Sequence, residues 1–210
     1  GLVVDGRTVR PPRRVEVDVL GRPFIVSAGV FWQVHPGAPA LLAEAVIDGL
    51  GPRPGETVAD LYAGVGLFAV LLGRAVGRSG SVVAVERDRR AWADATQNAA
   101  DLPQVDVVRA TVAPSLVARG LGTPDLVVLD PAREGAGKPV MAAFAGLDPP
   151  PRRIAYVSCD AATFARDVRV LLDAGWSMPA LRAFDLFPMT EHVELLGVLE
   201  PPSRPASPNP

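Results

Sequence analysis

The sequence is poor in cysteine and histidine and has no long hydrophobic run. Its 210 residues include one cysteine and two histidines, so the chain cannot form an internal disulfide or by itself supply a cysteine-rich zinc or iron–sulfur site. It contains no stretch of about 18 uncharged apolar residues, and its first residues lack the basic start and apolar stretch of a signal peptide. We therefore expect no membrane span and no metal centre, with the cytoplasm as the default location.

The sequence also lacks the excess of positive charge that is typical of proteins that bind nucleic acid through a basic surface. The formal net charge is −2 and the pI is about 5.7, which argues against a domain that holds nucleic acid mainly through a broad basic surface. An enzyme that acts on RNA and is held to it elsewhere remains possible. The best candidate for a phosphate contact is the mildly basic opening segment, for which a solvated linker is the alternative; its basic residues are Arg7, Arg10, Arg13, Arg14 and Arg22.

Hydrophobic periodicity predicts one α/β domain. Residues 15–20 and 24–28 flank a Gly-Arg-Pro turn and predict a β-hairpin, and residues 39–50 have the apolar spacing of a helix. From residue 57 on, short β-rich runs alternate with helical patterns. This alternation predicts a mostly parallel sheet that is covered by helices on both faces.

The end of the sequence departs from that alternation. Residues 180–187 and 193–199 are two strand-like runs with a connection too short for a helix, so we expect an antiparallel pair at one edge of the sheet. We divide the chain into an N-terminal hairpin and linker (1–28), a main domain (29–200) and a Pro/Ser-rich tail that we expect to be disordered (201–210).

A glycine motif follows the first predicted parallel strand. The sequence from Gly64 through Gly66 to Ala69 fits the pattern G-x-G-x-x-A, a turn that opens a helix and lets the backbone approach a ligand. A tight turn without a ligand is the alternative. Glu86 ends the next strand about 20 residues later, where a carboxylate can accept hydrogen bonds from ribose hydroxyls. Together these features predict an adenosine-containing cofactor, and they do not separate NAD from S-adenosylmethionine.

Four apolar runs end in residues that can carry chemistry: Asp60, Glu86, Asp130 and Cys159. Because the carboxyl ends of parallel strands meet at one edge of a sheet, we expect one shared cleft, although Asp130 could simply cap a turn. Cys159 is either a small buried hydrophobe or a nucleophile whose thiolate is favoured by the N-terminus of the following helix. Glu194 interrupts an apolar strand, and it either faces solvent at a sheet edge or has a chemical task.

Six short motifs in this order carry a resemblance to a known family: FWQ, DLYAGVGLF, VVAVERD, LDPAREG, YVSCD and FPMTEHVE. Over residues 24–200 the chain resembles the catalytic domain of the RNA uracil-5-methyltransferases, which form 5-methyluridine in tRNA and 23S rRNA. The LDPAREGAG motif is somewhat more similar to the rRNA branch. The resemblance implies a Rossmann-like class I methyltransferase fold with S-adenosylmethionine as cofactor and RNA as substrate.

The resemblance also implies roles for individual residues. Gln33, Tyr62 and Glu86 would contact S-adenosylmethionine, together with the turn of Gly64 and Gly66. Asp130 would lie beside the methyl donor and the target base, and Phe31 would stack on the extruded uracil. Cys159 would be the nucleophile and Glu194 the base that removes the proton from carbon 5.

Three residues depart from the family pattern. Leu67, His35 and Asp160 stand where the family usually has asparagine. We expect Asp160 to cap the helix that begins at residue 161 and to raise the pKa of Cys159. The chain also lacks the small RNA-binding β-barrel and the cysteine cluster of many members, so we expect a catalytic-domain fragment or a shortened homologue that binds RNA weakly without a separate RNA-binding domain. The alternatives are a methyltransferase for a small molecule and a non-catalytic cofactor-binding domain that supports RNA binding.

Overall fold

The computed structural model describes residues 3–4, 7–8, 14–187 and 189–203. Its strands are β1 (Val3–Val4), β2 (Arg7–Thr8), β3 (Arg14–Val19), β4 (Arg22–Ser27), β5 (Thr57–Leu61), β6 (Ser81–Glu86), β7 (Val105–Arg109), β8 (Leu126–Leu129), β9 (Arg153–Ser158), β10 (Ser177–Phe184) and β11 (Glu194–Glu200). Its helices are α1 (Ala38–Leu50), α2 (Leu67–Val76), α3 (Arg89–Asn98), α4 (Pro114–Arg119), α5 (Lys138–Ala145) and α6 (Ala161–Asp173). Most of the tail expected to be disordered, residues 204–210, lies outside the described residues, as do Arg10 and Arg13.

Strands β5 to β11 form one sheet in the order β10-β11-β9-β8-β5-β6-β7. The neighbours from β9 to β7 run parallel, and β11 and β10 add an antiparallel pair at one edge. The prediction of a mostly parallel sheet with an antiparallel edge pair is therefore confirmed. The chain builds outward from β5 in both directions, so the strand order reverses between β5 and β8, where open α/β sheets bind ligands.

Each face of the sheet buries its own hydrophobic cluster. In β5, Val58 packs in the cluster with α1 and α2, whereas Ala59 and Leu61 pack in the cluster with α5 and α6. Strands buried on both faces are mostly apolar, which is why β8 and β9 appear in the sequence as nearly continuous apolar runs, whereas the edge strand β7 is only partly buried.

Two helices were not predicted from the sequence. Helices α4 and α5 are short, each has a proline in its first turn and each ends at a glycine, so neither shows enough turns for a helical period to be recognised. They connect β7 to β8 and β8 to β9, and with α2 and α3 they supply the crossovers of the parallel sheet. Among the described residues, no helix has the length and hydrophobicity that crossing a bilayer requires.

The predicted hairpin is formed by β3 and β4 and packs against α3. Asp94 and Asn98 lie one turn apart on α3 and are almost fully buried. Asp94 accepts hydrogen bonds from the backbone N–H (2.7 Å) and hydroxyl (2.8 Å) of Ser27, and Asn98 bonds both the N–H (2.8 Å) and the C=O (3.0 Å) of Ile25. The two side chains thus bond backbone groups of Ile25 and Ser27 in β4, and in this way they fix the direction of the segment that follows the strand.

Candidate active site

A cleft of about 880 Å³ opens at the carboxyl ends of the parallel strands. Its walls are the segments that follow β4 and the five parallel strands, together with the start of β11. This volume lies within the range of small-molecule sites. Of the residues assigned to the site from the sequence, all except Gly66 line the cleft: Phe31, Gln33, Tyr62, Gly64, Glu86, Asp130, Cys159 and Glu194.

The glycine turn between β5 and α2 requires glycine at two positions for different reasons. Both residues have positive φ, +55° at Gly64 and +85° at Gly66, a region that side chains rarely adopt. A Cβ on Gly64 would project into open space, whereas one on Gly66 would lie 3.3 Å from the Cβ of Ala95 in α3. Gly64 therefore leaves room in the cleft, and Gly66 allows α3 to pack close beneath the turn.

Glu86 anchors this turn. Its Oε2 accepts the backbone N–H of Gly64 (2.9 Å), and its Oε1 accepts the backbone N–H of Asp88 (2.6 Å). Each oxygen keeps a second lone pair that can accept a hydrogen bond from a ligand in the cleft. The same carboxylate can thus shape the turn and contact a ligand.

Asp60 does not join the other strand ends in the cleft, which corrects the expectation of four chemical groups there. Its side chain is fully buried, and its Oδ2 accepts the backbone N–H of Ala69 at 2.8 Å. Its Oδ1 has no hydrogen-bond partner among the described residues. Burial raises the pKa of Asp60 to about 8. Asp60 therefore stabilises the first turn of α2 through its hydrogen bond to the backbone of Ala69.

Two carboxyl groups with raised pKa values face the cleft. Burial raises the pKa of Asp130 to about 7. Burial, and secondarily the negative charge of Asp130, raises the pKa of Glu194 to about 8. Glu194 is 3% exposed, so the solvated-edge explanation of this residue is wrong.

Cys159 lies at the end of β9, half-buried in the same cleft. Its pKa is raised, first by burial and then by the charge of Glu194, while Arg133 acts in the opposite direction and Asp130 adds to the increase. The net pKa of Cys159 is therefore raised, although the N-terminus of the following helix is expected to favour the thiolate. Positive charge near the sulfur would increase the thiolate fraction.

The three departures from the family pattern have different positions. Asp160 caps α6 as expected by accepting the backbone N–H of Thr163 at 2.8 Å, but the carboxylates that raise the pKa of Cys159 are Glu194 and Asp130. Leu67 lines the cleft. His35 lies outside it, and its Nδ1 accepts the backbone N–H of Gly37 at 3.1 Å.

Two residues with chemically useful side chains at the cleft, Arg133 and Phe187, were not assigned to the site from the sequence. Arg133 lines it, and so does Phe187, whose ring packs edge-on against His192 with centroids 6.1 Å apart. Both lie within the motifs LDPAREG and FPMTEHVE, so their position in a motif was the available signal. Phe31, assigned to the site from the sequence, is 69% exposed at the cleft. In the part of the chain that the structure describes, no cluster of His, Cys, Asp or Glu could hold a metal ion.

Comparison with known proteins places the chain among methyltransferases by fold. No family model matches it. It is 46% identical over 184 residues to an uncharacterized RNA methyltransferase of Streptomyces avermitilis, covering 88% of this chain and 42% of the relative. A second uncharacterized RNA methyltransferase, from Streptomyces coelicolor, is 44% identical over 196 residues, covering 89% of this chain and 42% of the relative. The chain thus spans about two fifths of the length of these curated relatives.

A solved structure, M. jannaschii TYW2 in complex with AdoMet, has a TM-score of 0.62 and 15% identity over 90% of this chain and 86% of that protein. The seven-stranded mixed sheet and this likeness establish the fold, which is the Rossmann-like fold of S-adenosylmethionine-dependent methyltransferases.

Proposed function

We propose that this chain is the catalytic part of an S-adenosylmethionine-dependent RNA methyltransferase that methylates carbon 5 of a uridine in RNA, with rRNA favoured over tRNA. The observation that carries the proposal is the meeting of Cys159, Asp130 and Glu194 in one cleft beside a glycine turn. The relatives named as RNA methyltransferases support an RNA substrate. The choice of uracil and of rRNA rests on the side chains of the cleft and on the motif resemblance.

The charges of the cleft suit a cationic cofactor. Glu86, Asp130 and Glu194 are among the carboxyl groups that line it, together with Arg87 and Arg133, and in their ionised forms these carboxylates stabilise a positive ligand such as a sulfonium. Gln33, Tyr62 and Glu86 are the residues that would hold S-adenosylmethionine. When bound, the cofactor supplies an activated methyl group.

The role of Cys159 follows from the chemistry of uracil. Carbon 5 is a poor nucleophile, so the Cys159 thiolate first adds to carbon 6, forming an Sγ–C6 bond and moving the electron pair of the C5=C6 bond towards the C4 carbonyl. Carbon 5 then accepts the methyl group. Because the pKa of Cys159 is raised, we expect positive charge near the sulfur to increase the fraction of thiolate.

The role of Glu194 is to complete the reaction. After methylation, carbon 5 still carries its proton, and the Glu194 carboxylate removes it. The released electron pair re-forms the C5=C6 bond, the Sγ–C6 bond breaks and the thiolate leaves. Glu194 must be ionised at this step, and burial raises its pKa to about 8.

Access to the base requires that the uridine leave its stack. A base in a helix cannot reach a thiol inside a cleft, so the nucleotide must be flipped out or presented from a loop. The exposed ring of Phe31 is suited to stack on such a base.

The test is incubation of the purified chain with labelled S-adenosylmethionine and unmodified 23S rRNA or tRNA, followed by nucleoside analysis. We expect label in 5-methyluridine, more from rRNA than from tRNA, and none with Cys159→Ala. Label only in small molecules present in a cell extract would instead support a small-molecule methyltransferase, for which the net charge of −2 is the specific argument. Binding of the cofactor without any transfer would support the non-catalytic alternative.

A further inference from the structure

The loop between β8 and α5 is fixed by hydrogen bonds to side chains of β9 and α6. Residues 131–135 of this loop line the cleft, and backbone groups of four of the five residues from 133 to 137 bond a side chain. The Arg133 carbonyl accepts the Thr163 hydroxyl (3.0 Å), the Glu134 carbonyl accepts Arg166 Nη2 (2.7 Å), the Ala136 N–H donates to the Tyr156 hydroxyl (2.9 Å) and the Gly137 N–H donates to Asp167 Oδ2 (3.0 Å).

Asp167 is the centre of this network. Its side chain is fully buried, and besides Gly137 it accepts the Tyr156 hydroxyl (2.7 Å) and Arg166 Nε (2.8 Å). Burial alone would raise the pKa of Asp167, but the hydrogen bonds from Arg166, Gly137 and Tyr156 outweigh it and lower the pKa. The carboxylate therefore stays charged and keeps its three donors.

Gly135 shows how closely the loop fits this network. It has φ of +75°, and a Cβ there would collide with Asp167 Oδ2 and lie 2.7 Å from Arg166 Nη2. The loop thus approaches α6 more closely than any side chain at this position would allow. Such a contact fixes position as well as adding stability.

The same helix links this network to the thiol. Helix α6 begins two residues after Cys159 and carries Thr163, Arg166 and Asp167, while the loop carries Arg133 into the cleft. We propose that Tyr156 and Asp167 are positioning residues that hold the loop of residues 131–137 against α6, so that the Arg133 guanidinium stays beside the Cys159 thiol. The inference rests on the proposed function for the role of Cys159 in catalysis, and on the hydrogen-bond network for the position of the loop.

Because carboxyl groups lie near Cys159, the position of Arg133 affects the pKa of the thiol. Glu194 faces the thiol from β11 and Asp130 from the end of β8, and both disfavour the thiolate. Arg133 is the cation that opposes these two carboxyl groups. A loop released from α6 would withdraw that cation and leave the sulfur facing carboxylates alone.

The test uses the single cysteine of the chain. The rate of Cys159 alkylation by iodoacetamide, measured against pH, reports the pKa of the thiol. Tyr156→Phe removes one hydroxyl without changing charge, and we expect the profile to move to higher pH by roughly 0.5–1 unit. Asp167→Asn should move it in the same direction, although removal of its negative charge by itself would move it to lower pH.

A matched control and a double variant distinguish a change in the position of Arg133 from a general loss of stability. Thr57→Val also removes one hydroxyl, which bonds Asp125 at 2.8 Å at the opposite end of the sheet; it should lower Tm and leave the alkylation profile unchanged. Arg133→Gln should shift the profile as Tyr156→Phe does, and combining the two should add nothing.

An unchanged profile in Tyr156→Phe, or a shift to lower pH in Asp167→Asn, would overturn the inference. These measurements need no methyl transfer. If Cys159→Ala still produced 5-methyluridine, the proposed function would lose its nucleophile, while the alkylation result would still decide how Arg133 is held.

Discussion

Glu194 and Asp130 lie in one cleft with Cys159, and all three groups have raised pKa values. Because positive charge stabilises the ionised forms, a cation in the cleft would lower all three pKa values together. At the residue scale, we therefore expect cation binding and ionisation of these groups to be linked.

The first prediction concerns Glu194 as the base. Since a base must be ionised and the pKa of Glu194 is about 8, the rate of methyl transfer should rise with pH from 6 towards 8. Glu194→Gln should reduce turnover by roughly 10²–10⁴-fold and leave a methylated RNA–protein adduct, visible as a band that resists denaturant. A rate independent of pH over this range, or turnover retained in Glu194→Gln, would remove Glu194 from this role.

The second prediction concerns Cys159. RNA with 5-fluorouridine at the target should form a persistent covalent adduct, because fluorine at carbon 5 cannot leave as a proton does. A denaturing gel with labelled RNA measures it, in the presence of S-adenosylmethionine. Cys159→Ala should give no adduct, and an equal amount of adduct from that variant would point to another nucleophile.

The sequence predicted that these residues belong to one site, and they line one cleft, but the sequence could not predict their electrostatics. Cys159 and Glu194 are recognisable because a thiol ends a strand and a carboxylate interrupts one. The pKa of Cys159, in contrast, depends on groups from β8 and β11 and from the loop after β8, and their distances exist only after folding. This is why the helix N-terminus was given too much weight and Asp160 was named as the opposing charge.

At the scale of elements, α3 joins two walls of the cleft. The Asn98 amide donates to the Ile25 carbonyl in β4 and to the Val65 carbonyl in the glycine turn, both at 3.0 Å. The segment after β4 carries Phe31 and Gln33 into the cleft, so one side chain sets the spacing between that segment and the turn.

The third prediction follows from this junction. Asn98→Ala should destabilise the fold by about 1–3 kcal/mol, since buried backbone groups lose their partners, and should weaken binding of S-adenosylhomocysteine by roughly tenfold. Trp92→Phe is the control: it removes the indole bond to the Val107 carbonyl at 2.9 Å on the same helix, away from the turn, and should leave affinity unchanged. Calorimetric titration and thermal unfolding measure both effects. Equal loss of affinity in the two variants would contradict a specific role for Asn98.

The elements themselves differed in how well the sequence predicted them. The parallel strands were recognisable because burial on both faces requires unbroken apolar runs, and the hairpin because alternating residues flank a Gly-Arg-Pro turn. Helices α4 and α5 have too few turns for a period, and the β10 strand begins at Ser177, earlier than expected. The contacts that place the hairpin and the 131–137 loop join residues far apart in the chain, which local patterns do not encode.

At the scale of the molecule, the raised carboxyl pKa values link stability to pH. Asp60, Asp130 and Glu194 have folded pKa values of about 8, 7 and 8, whereas the unfolded chain loses these protons near pH 4. The folded state binds more protons between about pH 4 and 8, so the free energy of unfolding falls as pH rises through that window.

The fourth prediction is therefore a lower Tm at pH 8.5 than at pH 5.5. Glu194→Gln should reduce that difference because it removes one of the three groups, and S-adenosylmethionine should raise Tm more at pH 8.5 than at pH 5.5 because ionised carboxylates bind its cation. Thermal unfolding in matched buffers at the two pH values measures these differences in Tm. A Tm independent of pH would mean that these carboxyls do not hold their protons in the folded chain.

The overall charge of the chain leads to the last prediction, which concerns its affinity for RNA. The net charge is −2, and two arginines of the opening segment already contact α3 or the residues just after it. Arg22 pairs with Asp101 and donates to the Asn98 carbonyl at 2.6 Å, and Arg14 lies 3.9 Å from Asp94. These contacts favour a structural role for Arg14 and Arg22 over a contact with phosphate.

The fifth prediction is that the chain alone binds RNA weakly, with a Kd above about 1 µM at physiological salt, because counterion release needs clustered cations that are free to contact phosphate. Filter binding over a range of salt concentrations measures both the affinity and the number of phosphate contacts. Arg22→Gln should lower Tm through the lost pair with Asp101 and change RNA affinity little. Submicromolar binding, or a tenfold loss of affinity in a folded Arg22→Gln variant, would show that the opening segment does contact phosphate and that the pairs with α3 open when RNA binds.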